Sequence, residues 1–230
     1  MRDRAGEPLA GEVRLQWWHD VLEGVRPQEA AANPVAAALL QSMAENGLAA
    51  SSLLDLIGAR EFDLYDDPMP TLAALEGYAR RTTSALFLEA ARLLGHGSVA
   101  EAADPAGVAY GITGLLRSFA FHASRRQLFV PVEILERHGV AIADIFAGRS
   151  SPQLGGALAE LRGVARRHLE AVAARRLPAG TVAALLPVSL VRGYLDRMER
   201  HDYAPFASPV EVAQWRRQWA LWRAARHDRV

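Results

Sequence analysis

Apolar residues recur three and four positions apart along almost the whole chain, and no run of strict alternation bounded by hairpin turns breaks the pattern. This spacing puts a hydrophobic stripe along one side of each helix and leaves no alternating face from which to build a sheet. An all-α fold follows, with helices predicted over residues 12–22, 34–45, 51–59, 71–94, 105–124, 131–138, 142–147, 152–174, 178–199 and 209–225. Capping chemistry accounts for several of the starts: Thr71 as an N-cap, Asp104 before Pro105 at the first helical position, and Ser208 before Pro209. Breaks are expected at 95–98, 148–152, 178–180 and 203–209, where Gly, Pro and Ser gather. No internal repeat or long linker appears, so residues 1–230 read as a single domain.

Half of the 230 residues are hydrophobic, enough for a sizeable core in one domain or two closely joined helical lobes. Basic and acidic residues balance at 26 each, so the field that gathers nucleic acid is missing and no nucleic-acid partner is expected. Cysteine is absent, which excludes disulfides, thiolate nucleophiles and cysteine-type zinc sites and is compatible with a reducing cytoplasm. The N-terminus is charged from Arg2 and reads as neither a secretory signal nor an anchor. The longest apolar run, residues 182–191, is interrupted by Pro187 and falls short of the roughly 20 residues that cross a bilayer.

Gly111, Gly114, Ser118 and His122 are spaced three, four and four, so they form one helical stripe. Small residues in such a stripe let a neighbouring helix approach closely, and they also suit the wall of a pocket. Arg117 beside the stripe can meet an anion or pair with a carboxylate such as Glu76 or Asp63, while Arg125 and Arg126 suit either an anion or a helix C-terminus. Glu61, Asp63, Asp66 and Asp67 cluster in REFDLYDDP, but Pro68 and Pro70 stop a helix there, and the segment reads as a charged loop rather than a metal site. Trp215, Trp219 and Trp222 recur at i, i+4 and i+7 among arginines, a pattern that suits a membrane interface, a partner groove, or a last helix closing the core. Trp17 and Trp18 are adjacent and are not expected to share one core. The seven histidines, His96 among them, show no helical metal-ligand pair, and no G-x-S-x-G, P-loop, dinucleotide or H-E-x-x-H motif occurs.

The segment GVAYGITGLLRSFAFHASRRQLFVPVEIL, residues 107–135, resembles a catalytic helix of squalene and phytoene synthases. That helix reads roughly G-x-A-x-Q-L-T-N-I-L-R-D-x-x-x-D-A-x-R-G-R-x-Y-L-P. Gly107, Ala109, Thr113, Leu116, Arg117, Ala123, Arg125 and Pro131 keep its frame, whereas Ser118 and His122 stand where the family has aspartates, and Gly111 and Gly114 where it has Gln and Asn. EPLAGEVRLQWWHDVL, GAREFDLYDDPMPTLAALEGYARRTTSALF and LLPVSLVRGYLDRMERHDYAPF extend the resemblance over nearly the whole chain. The chain is similar above all to the non-catalytic branch of the family that includes a mitochondrial complex I assembly factor. The resemblance implies an isoprenoid-synthase-type helical bundle lacking the first helical segment, whose aspartate-rich motif would precede Met1.

What the resemblance implies about chemistry is mostly a loss. Family enzymes use clustered carboxylates to hold magnesium against a prenyl diphosphate while pyrophosphate leaves. Ser118 is a poor magnesium ligand and His122 prefers softer metals, so neither catalytic nor metal-binding residues are expected, and no cofactor unless the protein is active, in which case magnesium. Tyr78, at the position of a pocket-bordering tyrosine, Thr82 one turn on, Gly111, Gly114, Arg117, Ser118, His122 and Arg125 remain candidate residues for a prenyl lipid or prenyl diphosphate. The favoured expectation is a degenerate assembly, scaffolding or lipid-binding factor, cytoplasmic or peripheral on the inner face of the membrane, with respiratory-complex subunits as partners. A squalene/phytoene-type prenyltransferase with a mispredicted start, and a lipid carrier that only binds, are the alternatives.

Overall fold

A computed structural model describes residues 8–95, 99–175, 177–178, 180–227 and 229–230; His96, most of the expected 95–98 break and Glu7 of the first sequence block lie outside them. The described residues form helices and connecting loops with no strand. Their contacts divide into two compact units, one ending at Asp66 and the other starting at Asp67.

The first unit holds α1 (Pro8–Leu22), α2 (Pro27–Ala32), α3 (Pro34–Asn46), α4 (Ala50–Arg60) and a 3-10 turn, Glu61–Leu64. Asn33 starts α3 by accepting from Val35 N and Ala36 N at 3.0 and 3.1 Å, and Gly47 ends it in the left-handed conformation at φ +64°. The short α2 was not foreseen: its signal is Pro27 at the first position, followed by only five residues. Trp17 and Trp18 overturn the expectation that adjacent indoles cannot serve one core. Both are half-buried against Val21, Ala30 and Ala36, meeting edge to face at 5.0 Å, and Trp17 Nε1 donates to Glu29 at 2.8 Å.

The second unit begins with α5 (Leu72–Ala79), a π-helical turn (Arg80–Ser84) and α6 (Ala85–Leu93), which together replace the single predicted helix over 71–94. Thr71 caps α5 as expected, accepting from Ala74 N at 3.1 Å, and Glu133 accepts from Leu72 N at 2.6 Å. Then follow α7 (Ala100–Arg117), α8 (Phe119–Ser124), α9 (Val132–Arg137), α10 (Ile142–Phe146) and α11 (Pro152–Ala173), the last capped by Ser151. Helix α7 is buried nearly all round from Ala102 to Ala109, as befits a central helix packed by α5, α6 and α11.

Asp104 and Pro105 do not start α7. They lie inside it, and Asp104 accepts from Arg80 Nε at 3.1 Å while its carbonyl accepts from Ser84 Oγ at 2.7 Å. The predicted helix over 178–199 is also broken: α12 (Val182–Leu185) passes through a 3-10 stretch, Leu186–Leu190, around Pro187 before α13 (Val191–Met198). The last helix, α14 (Gln214–His227), starts five residues past Pro209, and Ser208 Oγ accepts instead from Ala204 N at 3.0 Å.

Candidate functional site

Close packing decides what the small-residue stripe does. A Cβ on Gly107, one turn before the stripe, would lie 2.2–2.3 Å from Ser84 Oγ, Cα and N, so α7 touches the backbone of the π turn there. At Gly111 a Cβ would meet Thr83 Oγ1 at 3.0 Å and Ala79 Cβ at 3.2 Å, whereas at Gly114 nothing lies within 4 Å. The stripe is therefore a helix contact at one end and open at the other. Ser118 marks a break at φ −95°, ψ 12°, yet its N–H still bonds Gly114 O at 3.1 Å and its carbonyl accepts from His122 N at 2.9 Å, so the helical path continues.

His122 and Tyr78 converge on one ring. The imidazole meets Phe129 edge-on at 4.7 Å and Phe121 at 5.7 Å, and Tyr78, 6% exposed, packs on the other ring contact of Phe129 at 5.7 Å. Thr82, fully buried, donates its hydroxyl to Tyr78 O at 2.7 Å in the i→i−4 manner. The cavity beside these residues, lined by Leu75, Ile112, Phe119, His122, Phe129 and Leu161 among others, has a volume of about 20 Å³. That holds about one water, against the several hundred Å³ of an ordinary ligand pocket.

The arginines go elsewhere. Arg117 neither pairs with Glu76 nor needs to: its guanidinium lies 3.7 Å over the Tyr194 ring, and its Nε donates to Val210 O at 3.4 Å. Glu76 is held by Arg80 at 3.2 Å and His168 at 3.1 Å, while Asp63 pairs with Arg60 at 3.0 Å. Burial alone pushes the Glu76 carboxyl up, but the hydrogen bonds and charges of His168 and Arg80 together outweigh it and hold it below the usual range. Arg125 lies 4.5 Å over Phe121. Arg126 closes α8 in the left-handed conformation, φ +57°, with Arg126 N bonding Ala123 O and Gln127 N bonding His122 O, a Schellman turn. The basic pair thus serves a helix C-terminus in this fold.

Magnesium does not fit the donors present. Ser118 offers one neutral hydroxyl, His122 is packed between rings, and among the described residues no three His, Asp or Glu side chains gather to hold a metal.

Two further surfaces stand apart from the stripe. In the first unit an open groove of about 610 Å³ is lined mainly by Leu15, Trp18, Leu22, Leu39, Leu56 and Ile57. In the second, α14 buries only Ala224 fully and leaves its tryptophans outside, so it does not close the core with them. The Trp and Arg periodicity was legible; its direction was not. Tyr194 as the seat of Arg117 had no local signal, because the two lie on helices far apart in sequence.

Residues 1–223 match the family model described as squalene/phytoene synthase. NADH dehydrogenase (ubiquinone) complex I, assembly factor 6, of Rattus norvegicus is 29% identical over 210 residues, covering 90% of this chain and 63% of that protein. Phytoene synthase of Thermus thermophilus is 30% identical over 165 residues, covering 70% of this chain and 57% of that one. The chain thus spans less than two thirds of the length of these curated relatives. The squalene synthase HpnC from Alicyclobacillus acidocaldarius superposes with a TM-score of 0.73 at 20% identity, over 85% of this chain and 76% of that one, a likeness of fold.

Proposed function

Because this chain belongs to the squalene/phytoene synthase family, we propose that it is a non-catalytic member acting as an assembly or scaffolding factor for a respiratory complex, peripherally at a membrane. The observation that carries the reading is the stripe itself. Where the family's resemblance places magnesium-holding aspartates stand Ser118 and His122, and the cavity that His122 lines, about 20 Å³, is otherwise almost wholly apolar. A departing pyrophosphate needs clustered oxygen-bound cations to carry its charge, and this donor set supplies none.

The assembly role draws on the assembly-factor relative, which covers 90% of this chain. It is preferred to lipid carriage because a prenyl tail would require the cavity to widen more than about tenfold, to at least roughly 300 Å³. It is preferred to prenyl transfer, which the Thermus thermophilus phytoene synthase relative favours, because the carboxylates are missing. No helix among the described residues is long and apolar enough to cross a membrane, so membrane association on this reading is peripheral.

Two measurements test the proposal. Purified protein incubated with farnesyl or geranylgeranyl diphosphate and magnesium is expected to release no pyrophosphate above the buffer blank; release at enzymatic rates overturns the non-catalytic reading. Deletion of the gene is expected to lower assembled NADH dehydrogenase complex, and unchanged levels overturn the assembly role.

A further inference from the structure

Helix α14 has two faces of unlike chemistry. Inward it sets Ala224, fully buried, with Arg217, Ala220 and Leu221 half-buried beside it. Outward it sets Trp215, Trp219 and Trp222, which are 64, 55 and 52% exposed, a large loss of apolar burial for three adjacent indoles. Trp219 and Trp222 stack at 4.9 Å, and the guanidinium groups of Arg216 and Arg226 lie 5.1 and 5.8 Å over Trp215 and Trp222. With Trp219 stacked on Trp222 and arginines lying over Trp215 and Trp222, the indoles form a ridge along the exposed side of the helix.

Charge is concentrated along the same helix. Its fourteen residues include Arg216, Arg217, Arg223 and Arg226 and no carboxylate, on a chain whose formal net charge is zero. Along one flank of the ridge, between α14 and residues 189–200, two adjoining hollows of about 670 and 480 Å³ share Ser189, Arg192, Ala220 and Arg223 and so form one groove. Arg192, Arg216 and Arg223 line it and make no ion pair with any carboxylate among the described residues; of the carboxylates on its wall, Asp196 is taken up by Arg166 at 2.7 Å, and Glu211 is outnumbered by these arginines. The groove therefore offers guanidinium donors to an outside anion.

We propose that α14 with this groove is the surface on which the protein docks to a bilayer of anionic phospholipids. The tryptophan ridge lies at the boundary between headgroups and acyl chains, and the arginines of the groove bind lipid phosphates. Indoles favour that depth because the ring is apolar and its N–H can reach carbonyl and phosphate oxygens, and guanidinium groups bind phosphate oxygens in pairs. A helix whose tryptophans share one side and whose arginines flank them lies in the interface plane, the arginines reaching from the flank to the headgroups. Charge complementarity selects the occupant: a ridge with unpaired arginines along its flank matches a layered surface, negative outside and apolar beneath. The inference rests on the peripheral-membrane reading above and assigns it a site.

The test uses the whole chain and vesicles of phosphatidylcholine with about one third phosphatidylglycerol, beside vesicles of phosphatidylcholine alone. The protein is expected to co-sediment with the anionic vesicles, to show a blue-shifted tryptophan emission on them, and to be released by salt. Trp215→Ser/Trp219→Ser/Trp222→Ser is expected to weaken binding by roughly tenfold or more and to abolish the blue shift. Arg216→Gln/Arg223→Gln should weaken it by roughly 30-fold, from about fivefold per surface charge, and should flatten the salt dependence. Circular dichroism melting of each variant confirms that it folds; these side chains are exposed, and the arginine pair stands as the test if the tryptophan variant melts early. Equal binding by wild type and variants would sink the docking surface while leaving the peripheral reading intact. Wild type that binds neither vesicle overturns both, and assigns the ridge to a protein partner.

Discussion

Substituting Gly107 and Gly114 by alanine, one at a time, should move stability in opposite directions although both lie in α7. Alanine gains about 1 kcal/mol of helix propensity over glycine at either position. At Gly114 that gain stands alone, since a Cβ there meets nothing within 4 Å. At Gly107 the new Cβ would sit 2.2 Å from Ser84 Oγ and 2.3 Å from Ser84 Cα and N, more than an ångström inside ordinary contact. The hydroxyl can rotate away, but two of the three atoms are backbone of the π turn, so α7 and that turn must part by about 1 Å, a gap that forfeits a quarter to a half of the dispersion energy across it. Overpacking of this kind costs about 3 kcal/mol, the upper part of its usual range. After the propensity gain, Gly107→Ala should lose about 2 kcal/mol, and Gly114→Ala should gain about 1 kcal/mol. In thermal melts followed by circular dichroism, the first should fall by roughly 4–8 °C and the second rise by roughly 2–4 °C. Ser84→Ala added to Gly107→Ala should recover little, because the backbone contacts persist. Equal melting of the two glycine variants, or full rescue by Ser84→Ala, would refute the close approach on which the stripe's structural role rests.

Other outcomes follow from single groups. Arg126→Gly should raise stability by about 1 kcal/mol, because glycine adopts the left-handed angle at the end of α8 without the strain of a Cβ; equal urea midpoints would contradict this. Glu76, held below its ordinary value of 4.5 by His168 and Arg80 against the opposing effect of burial, contributes stability that is fully present above pH 4.5 and is lost as pH falls through its lower folded value. Melting temperatures of wild type and Glu76→Gln should therefore converge as pH drops from 6 toward 3, and a constant gap would refute the linkage. The Thr113 hydroxyl is buried and has no hydrogen-bond partner, so Thr113→Val, of nearly the same shape, should be neutral or stabilising by about 1 kcal/mol in urea unfolding. A loss of 1 kcal/mol or more would mean that the hydroxyl is bonded after all.

Much of the fold was legible locally. Helical spacing, Thr71 at the head of α5 and Pro34 at the head of α3 depend on neighbours within one or two turns, and those neighbours are adjacent in the chain. Pro105 misled because a proline early in a helix and one at its first position look alike until the residues before it are seen to be helical as well. The candidate residues divide on the same line. Tyr78 and His122 do meet at Phe129, with Thr82 bonded to the Tyr78 carbonyl, but Gly111 packs against Ala79 and Thr83, Arg117 turns to Tyr194, and Arg125 covers Phe121.

The residues alone determined that this chain is helical, that it carries the frame of its family, and that two positions expected to hold carboxylates hold a hydroxyl and an imidazole instead. Those are properties of composition and period, and they need no knowledge of what lies across a helix interface. Tertiary structure decided the remainder: the cavity lined by His122 measures about 20 Å³, Arg117 settles on an aromatic ring, and the tryptophans of α14 face outward. Each outcome depends on which distant side chain arrives within contact distance, since burial, pairing and exposure are decided by packing between helices and not by spacing along one of them.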